Sequence, residues 1–231
     1  MLKQSKETTS LAVTPAMRNY LADLYRLSQG ESWVSTTTLA ETLNVSPPAA
    51  ARMIKRMNGL GLLEHQPYRG VKLSSSGARE ALLGIRRHRL VERFLVDTLG
   101  FGWHEVHDES DTFQSGVSQR IEDRIDEILG HPTRCPHGEP IPSREGVMPK
   151  LDDLPLIVVS PGTQGQVSRI KTHDPDKLQY LASLHLVPGA PYTLVSRQPF
   201  NGPIRLVIAD RGEQVIGSEL AAAVWVTRSR S

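Results

Sequence analysis

Hydrophobic spacing along the 231 residues predicts an α+β chain in three parts: an N-terminal winged helix-turn-helix, a helical middle and a C-terminal small β-barrel. Three observations carry that prediction. Two short helices, a tight turn and two short strands fit residues 36–73. Apolar residues recur at helical spacing from 82 to 128. Beyond a proline-rich, glycine-punctuated stretch at 131–156, the pattern changes to short strands. The expected domains are therefore 1–75, 76–150 and 151–231.

Thr14-Pro15 reads as a helix cap and first helical residue, and Met17, Tyr20, Leu21, Leu24 and Leu27 then form one apolar stripe. A Gln29-Gly30-Glu31-Ser32 break leads to a short helix at about 36–43 with Leu39 and Leu43 inward. Ser46 caps a third helix opening on Pro47-Pro48, with Met53, Ile54, Met57 and Leu60 facing the core. Leu62–His65 and Val71–Leu73 read as two strands joined by Gln66-Pro67-Tyr68-Arg69-Gly70, a wing. Helix-turn-helix readers place the start of the second helix in the major groove, so the expected DNA-facing set is Ser46, Pro48, Ala49, Arg52, Lys55, Arg56 and Arg69. Within it, Arg52 is placed for a guanine edge and Arg69 for a phosphate.

A long helix is expected from Ser74 to Thr98, buried through Leu82, Leu83, Leu90, Val91, Phe94 and Leu95, with further helices at 105–115 and 117–128. Their extended apolar faces suit subunit association. After the loop, Leu156–Val159, Gln166–Ile170, Tyr192–Ser196, Ile204–Ile208 and Ala222–Thr227 read as strands and Asp174–His185 as a helix. The glycines there mark turns, and none builds a phosphate-binding loop.

The composition, 39% hydrophobic and 23% charged with one cysteine, fits a soluble globular protein without an intrachain disulfide. The N-terminus has no apolar signal core and no segment approaches a bilayer-spanning run, so a cytoplasmic location with no membrane partner is expected. The net charge of +2 is unevenly spread. Residues 1–75 carry nine basic against five acidic residues, 76–130 seven against eleven, and 131–231 eleven against nine. Phosphates favour the first block and cations the second.

The acidic block holds His88 with Glu92 and His107 with Asp111, each pair at i,i+4 and so on one helix face. Cys135-Pro136-His137 follows close behind. Two such helices with a loop folded over them could surround a divalent cation, which makes a metal-controlled DNA-binding protein the leading reading. A hydrolytic metalloenzyme and a metal-indifferent DNA-binding or scaffold protein are the alternatives. No HExxH, Walker loop or nucleophile elbow supports an enzyme.

Taken in order, the winged module, His88-Arg-Leu-Val-Glu92-Arg-Phe-Leu, Val106-His107-Asp108-Glu109 and the β-rich tail resemble the diphtheria-toxin-repressor family over nearly the whole chain. The resemblance implies a helical dimerisation domain and an SH3-like C-terminal domain. It also implies a homodimer that binds double-stranded palindromic operator DNA when loaded with Fe²⁺ or Mn²⁺, repressing metal-homeostasis genes. His88, Glu92 and His107 match the family's ancillary metal site, and Asp174 falls where the C-terminal domain supplies a carboxylate. Cys135-Pro136-His137-Gly138 resembles a loop that supplies thiolate and imidazole in manganese-responsive members, which favours Mn²⁺ with Fe²⁺ as the alternative. At the usual primary site Asn19 and Gln114-Ser115 stand where charged or softer ligands are familiar, so that site is expected to be weak. Glu109, Asp111 and Gln114 are the weaker candidates there.

Overall fold

The computed structural model describes residues 13–28, 32–114, 116–208 and 211–229. The chain divides into two compact units, one reaching Arg86 and taking in Ser143–Val147, the other comprising Arg87–Pro142 and Met148 onward.

In the first unit, α1 (Pro15–Ser28) starts at Thr14, whose hydroxyl accepts from Met17 N–H at 3.3 Å. The expected break at 29–31 lies outside the described residues. Ser35 caps α2 (Thr36–Thr42) through Thr38 N–H at 3.0 Å, and Ser46 caps α3 (Pro47–Gly59) through Ala49 N–H at 3.4 Å. Each cap satisfies a backbone donor that a helix start leaves unpaired. Met17, Leu21, Leu24, Leu39, Ile54, Met57 and Leu63 fill the core between these helices. The wing is an antiparallel pair, β1 (Leu63–Gln66) and β2 (Gly70–Leu73), with Leu63 opposite Leu73. Val34 adds a rung by exchanging hydrogen bonds with Val71 at 2.9 and 2.8 Å. Gly70, at φ +106°, makes that approach possible because a Cβ there would overlap the Val34 carbonyl.

α4 (Ser75–Leu99) is one continuous helix whose residues up to Arg86 go with the first unit and the rest with the second. Ser74 caps it by accepting from Gly77 N–H at 3.0 Å. In the second unit its Val91 and Leu95 pack on Val106 of α5 (Val106–Gln114) and on Val117, while Leu90 packs on Ile125 of α6 (Gln119–Ile128) and on Ile141.

The C-terminal part is antiparallel throughout. Its strands are β3 (Leu154–Pro155), β4 (Gln164–Ile170), β5 (Pro191–Arg197), β6 (Ile204–Ile208), β7 (Glu213–Ile216) and β8 (Val224–Arg228), in the order β3-β8-β4-β5-β6-β7. Helices α7 (Pro175–Ser183) and α8 (Ser218–Ala223) complete it around a core that includes Leu156, Ile170, Leu178, Leu194, Leu206 and Val226. This is the small β domain expected, with two corrections. The strand expected at 156–159 is a single 3-10 turn, Leu156–Val158, because Val159 N–H returns to the Leu156 carbonyl at 3.1 Å instead of joining a ladder. The strand expected from 222 starts at Val224, since the alanine-rich run before it is helical. A register shift between Val167 and Arg169 breaks the β4–β8 ladder at Ser168, a residue that matters below.

Candidate functional site

The i,i+4 spacing of α4 puts His88 and Glu92 on one face, and both are buried. His88 Nε2 lies 3.1 Å from Glu92 Oε1 and 3.2 Å from Nδ1 of His107, which the first turn of α5 presents. Cys135 and His137, also buried, bring the loop to the same carboxylate, with His137 Nδ1 at 3.6 Å from Glu92 Oε1 and at 3.9 Å from Cys135 Sγ. Two groups of donors result, His88/Glu92/His107 and Glu92/Cys135/His137, each with its ligand atoms within 4.8 Å of one another. Glu92 belongs to both.

The loop is held in place from two sides. Arg89 of α4 donates to the Glu139 carboxylate at 2.7 Å and to the Pro140 carbonyl at 2.5 Å, while Arg169 of β4 bridges Glu139 at 3.3 Å and Asp153 at 2.9 Å. Arg134 donates to the carbonyls of Gly138 and of Ser168, at 2.6 and 3.2 Å, the latter exposed to it where the ladder is broken. Gly138, at φ +82°, lies so close to β4 that a Cβ would collide with the Ser168 carbonyl. Ile170 N–H then donates to the His137 carbonyl at 2.8 Å.

Outer contacts orient His137 and His88. Nε2 of His137 lies 2.7 Å from the Trp103 carbonyl, which can only accept, so that nitrogen carries a proton while Nδ1 faces Glu92. Nδ1 of His88 lies 3.2 Å from Asp111 Oδ1, at ion-pair distance, while its Nε2 faces the cluster. Burial would push the Glu92 carboxyl up, but the His88 charge and hydrogen bonds from His107, His137 and His88 outweigh it and hold Glu92 well below the usual carboxylate range. Burial pushes the Cys135 thiol well above its ordinary value, the Glu92 charge adds to this, and Arg89 opposes it. The site thus offers a ready carboxylate and a thiol that an incoming cation must deprotonate. Convergent imidazole, carboxylate and sulfur donors with fixed outer partners are what a divalent transition-metal ion requires.

The structure thus brings together five of the six strongest metal-ligand candidates. Asp174 stands apart as the N-cap of α7, its Oδ1 accepting from Asp176 N–H at 3.0 Å and Lys177 N–H at 3.3 Å. Its neighbour His173, passed over in the sequence, stacks on His107 with ring centroids 3.9 Å apart. Of the weaker candidates, Asp111 backs His88, Gln114 donates to Asp111 at 2.9 Å, and Glu109 lies on the exposed face of α5. Asn19 is exposed on α1 in the first unit, and Ser115 lies outside the described residues.

On the first unit, Ser46 and Pro48 are exposed at the start of α3, Ala49 is half-buried, and Arg52, Lys55 and Arg56 project from the exposed side. Arg69 is exposed on the wing, its guanidinium 4.4 Å from the centre of the Trp33 ring and 3.3 Å from Gln66 Oε1. Trp33 was not legible as its platform, since it lies far from Arg69 in sequence and comes beside the wing where Val34 pairs with Val71. Tyr68, fully exposed at φ +64°, forms the tip.

A winged helix-turn-helix with a basic reading helix, joined to a centre of metal-binding donors, defines a metal-responsive DNA-binding protein. Comparison with known proteins agrees. Residues 12–71 match the iron dependent repressor N-terminal DNA binding domain, 74–143 the iron dependent repressor metal binding and dimerisation domain, and 154–228 the FeoA domain. The iron-dependent repressor IdeR of Mycobacterium tuberculosis is 31% identical over 221 residues, covering 90% of this chain and 95% of its own. The diphtheria toxin repressor of Corynebacterium efficiens is 28% identical, covering 90% and 94%. Among solved structures, a manganese-dependent transcriptional repressor in complex with manganese superimposes with a TM-score of 0.85 at 37% identity, covering 92% of this chain and 100% of that one. ScaR with bound Zn²⁺ gives 0.76 at 27% identity, covering 92% and 99%. The chain belongs to the diphtheria-toxin-repressor family of metal-dependent DNA-binding transcriptional repressors. Among the described residues, no helix is long and apolar enough to cross a membrane.

Proposed function

We propose that this repressor is switched by Mn²⁺, with Fe²⁺ as the alternative, held by His88, Glu92, His107, Cys135 and His137, and that it reads a palindromic operator as a homodimer in the cytoplasm. The observation that carries this reading is Glu92, a buried carboxylate kept ionised and shared by both donor groups. The ion would bring a double positive charge to that carboxylate and tie α4, α5 and the 135–137 loop together. Metal favours DNA binding only insofar as it binds the DNA-competent form more tightly than the other. Mn²⁺ is preferred because the manganese-dependent repressor shares 37% of the sequence and because carboxylate with imidazole suits that ion, whereas the thiolate keeps Fe²⁺ in contention. The buried donors suit an ion acting as a strut rather than one exchanging substrate, so we read the chain as a regulator and not an enzyme. In this reading residues 1–75 bind DNA, 76–150 bind metal and dimerise, and 151–231 form a domain clamped to the metal loop through Arg134 and Arg169.

Glu92→Gln removes the shared charge at nearly constant volume. It is expected to abolish Mn²⁺ binding at micromolar metal and, with it, metal-stimulated operator binding, while exposed Asn19→Ala changes both much less. Calorimetric Mn²⁺ titration combined with operator binding reads both variants. A normal metal response in Glu92→Gln together with its loss in Asn19→Ala would move the regulatory site away from Glu92.

A further inference from the structure

A cleft of about 520 Å³ opens in the second compact unit, between the later turns of α4, the 134–138 loop and strand β4. Arg93 and Val96 border it from α4, Trp103 from the turn before α5, Arg134 from the loop and Val187 from the segment between α7 and β5. A space of that size suits a small organic molecule rather than a single ion.

Both arginines reach the cleft with donors to spare. Arg134 makes all its hydrogen bonds through Nη1, to the Gly138 carbonyl at 2.6 Å and to the carbonyl and hydroxyl of Ser168 at 3.2 Å. Arg93 is held through Nε, at 2.6 Å from Asp97 Oδ2. One nitrogen therefore orients each guanidinium, and the other two have no hydrogen-bond partner among the described residues. Arg89 differs, since Glu139 and the Pro140 carbonyl take up its guanidinium. Among the described residues, no carboxylate borders the cleft to balance the two charges. The remaining wall is largely apolar and preformed, with Val96 and Trp103 half-buried against the cores beneath them.

These features select the ligand. A carboxylate would make charge-assisted hydrogen bonds to the guanidinium donors, and an apolar body would cover Val96, Trp103 and Val187. Inorganic phosphate would leave the apolar wall wet, whereas a neutral apolar molecule would shield the arginines from water without pairing them. We propose that this cleft is a binding site for a small organic carboxylate with an apolar body, separate from the Glu92-centred donors. Arg93 and Arg134 supply its charge.

Trp103 supplies the readout. The other two tryptophans stand elsewhere, Trp33 against Arg69 and Trp225 against Arg169 and Lys171. In heteronuclear NMR spectra of the full-length, metal-free protein, the indole N–H signal missing from Trp103→Phe identifies this residue. It should move when naphthoate, phenylbutyrate or octanoate is added at millimolar concentration. The matching primary amides, similar in shape but uncharged, should bind at least about ten-fold more weakly, as should the carboxylates to Arg93→Met. Arg93 is the better position to change because Arg134 also holds the loop. Val187→Phe fills the cleft without removing a charge and should abolish the shift, while unchanged Trp33 and Trp225 signals report that both variants are folded. Failure of all three carboxylates to move the Trp103 signal overturns the proposal. Equal binding of the amides would do so too, by making the cleft simply apolar, and so would a phosphate titration that reproduces the shift. Parental binding in both Arg93→Met and Val187→Phe would place the ligand elsewhere.

Discussion

At the scale of single residues, the centre combines a carboxylate that is ionised in advance with a thiol that is not. Burial and the Glu92 charge hold the Cys135 proton on sulfur at neutral pH, so a cation binding there must release it. The sign follows directly. A raised thiol pKa means that proton and metal compete over the whole neutral range, and affinity must rise with pH. Cys135→Ser removes that competing proton, so the slope of log affinity against pH between 6 and 8 should fall by about one relative to the parent. Mn²⁺ titrations in three buffers would measure it, and parallel slopes would show that the thiol never ionises on binding. How this site was legible is also a residue-scale matter. His88 and Glu92 announce themselves by helical spacing, and Cys135-Pro136-His137 by density of donor types. His173 gave a weaker signal. It stands in no periodic pattern, and its neighbour Asp174 fits both a helix cap and a ligand. Sequence could not show that the cap hydrogen bonds are made.

At the scale of elements, helices with caps were read within a residue or two, because Ser46, Ser74 and Thr14 mark their starts chemically. Short strands fared worse. β3 has two residues, too few for alternation to register, the polar start of β7 hid it, and the apolar run at 156–159 buries Leu156 by turning rather than by pairing. The wing and α3 make separable predictions about DNA. Arg52 projects from the exposed side of the reading helix, whereas Arg69 is braced against Trp33 on the wing. Arg52→Ala should cost roughly 1–3 kcal/mol on the operator and relax base preference at one position. Arg69→Ala should weaken binding to every duplex alike and lower the salt slope by about one. Binding to specific and scrambled duplexes at several salt concentrations distinguishes these roles. Uniform weakening by Arg52→Ala would make it a phosphate contact instead.

At the scale of the whole molecule, function depends on a second copy, because a palindromic operator presents two half-sites to two reading heads. The middle helices carry the apolar surface for it. Leu99 at the end of α4, Phe113 on α5 and Ile121 and Ile128 on α6 are exposed on the isolated chain, between 42% and 59%. Ile121 and Ile128 are seven residues apart and so share one side of α6, while Ile125 packs inward against Leu90. That division explains why the sequence showed an apolar helix but not which of its isoleucines belong to the monomer core: periodicity reports a wide apolar face, and only packing splits it. Burying an isoleucine side chain is worth about 1.5–3 kcal/mol, so replacing both exposed ones with a charge should shift the monomer–dimer equilibrium by well over about a hundred-fold. The Ile121→Glu/Ile128→Glu variant is therefore expected to sediment as a monomer at micromolar concentration, where the parent sediments as a dimer. Operator affinity should fall by about 10²–10⁴, the gain lost when two linked contacts become one. Mn²⁺ affinity should stay near that of the parent, because neither isoleucine belongs to the donor groups. A variant that remains dimeric at parental affinity would place the subunit interface away from α6. A parent that stays monomeric even on operator DNA would remove the two-headed mode of reading altogether.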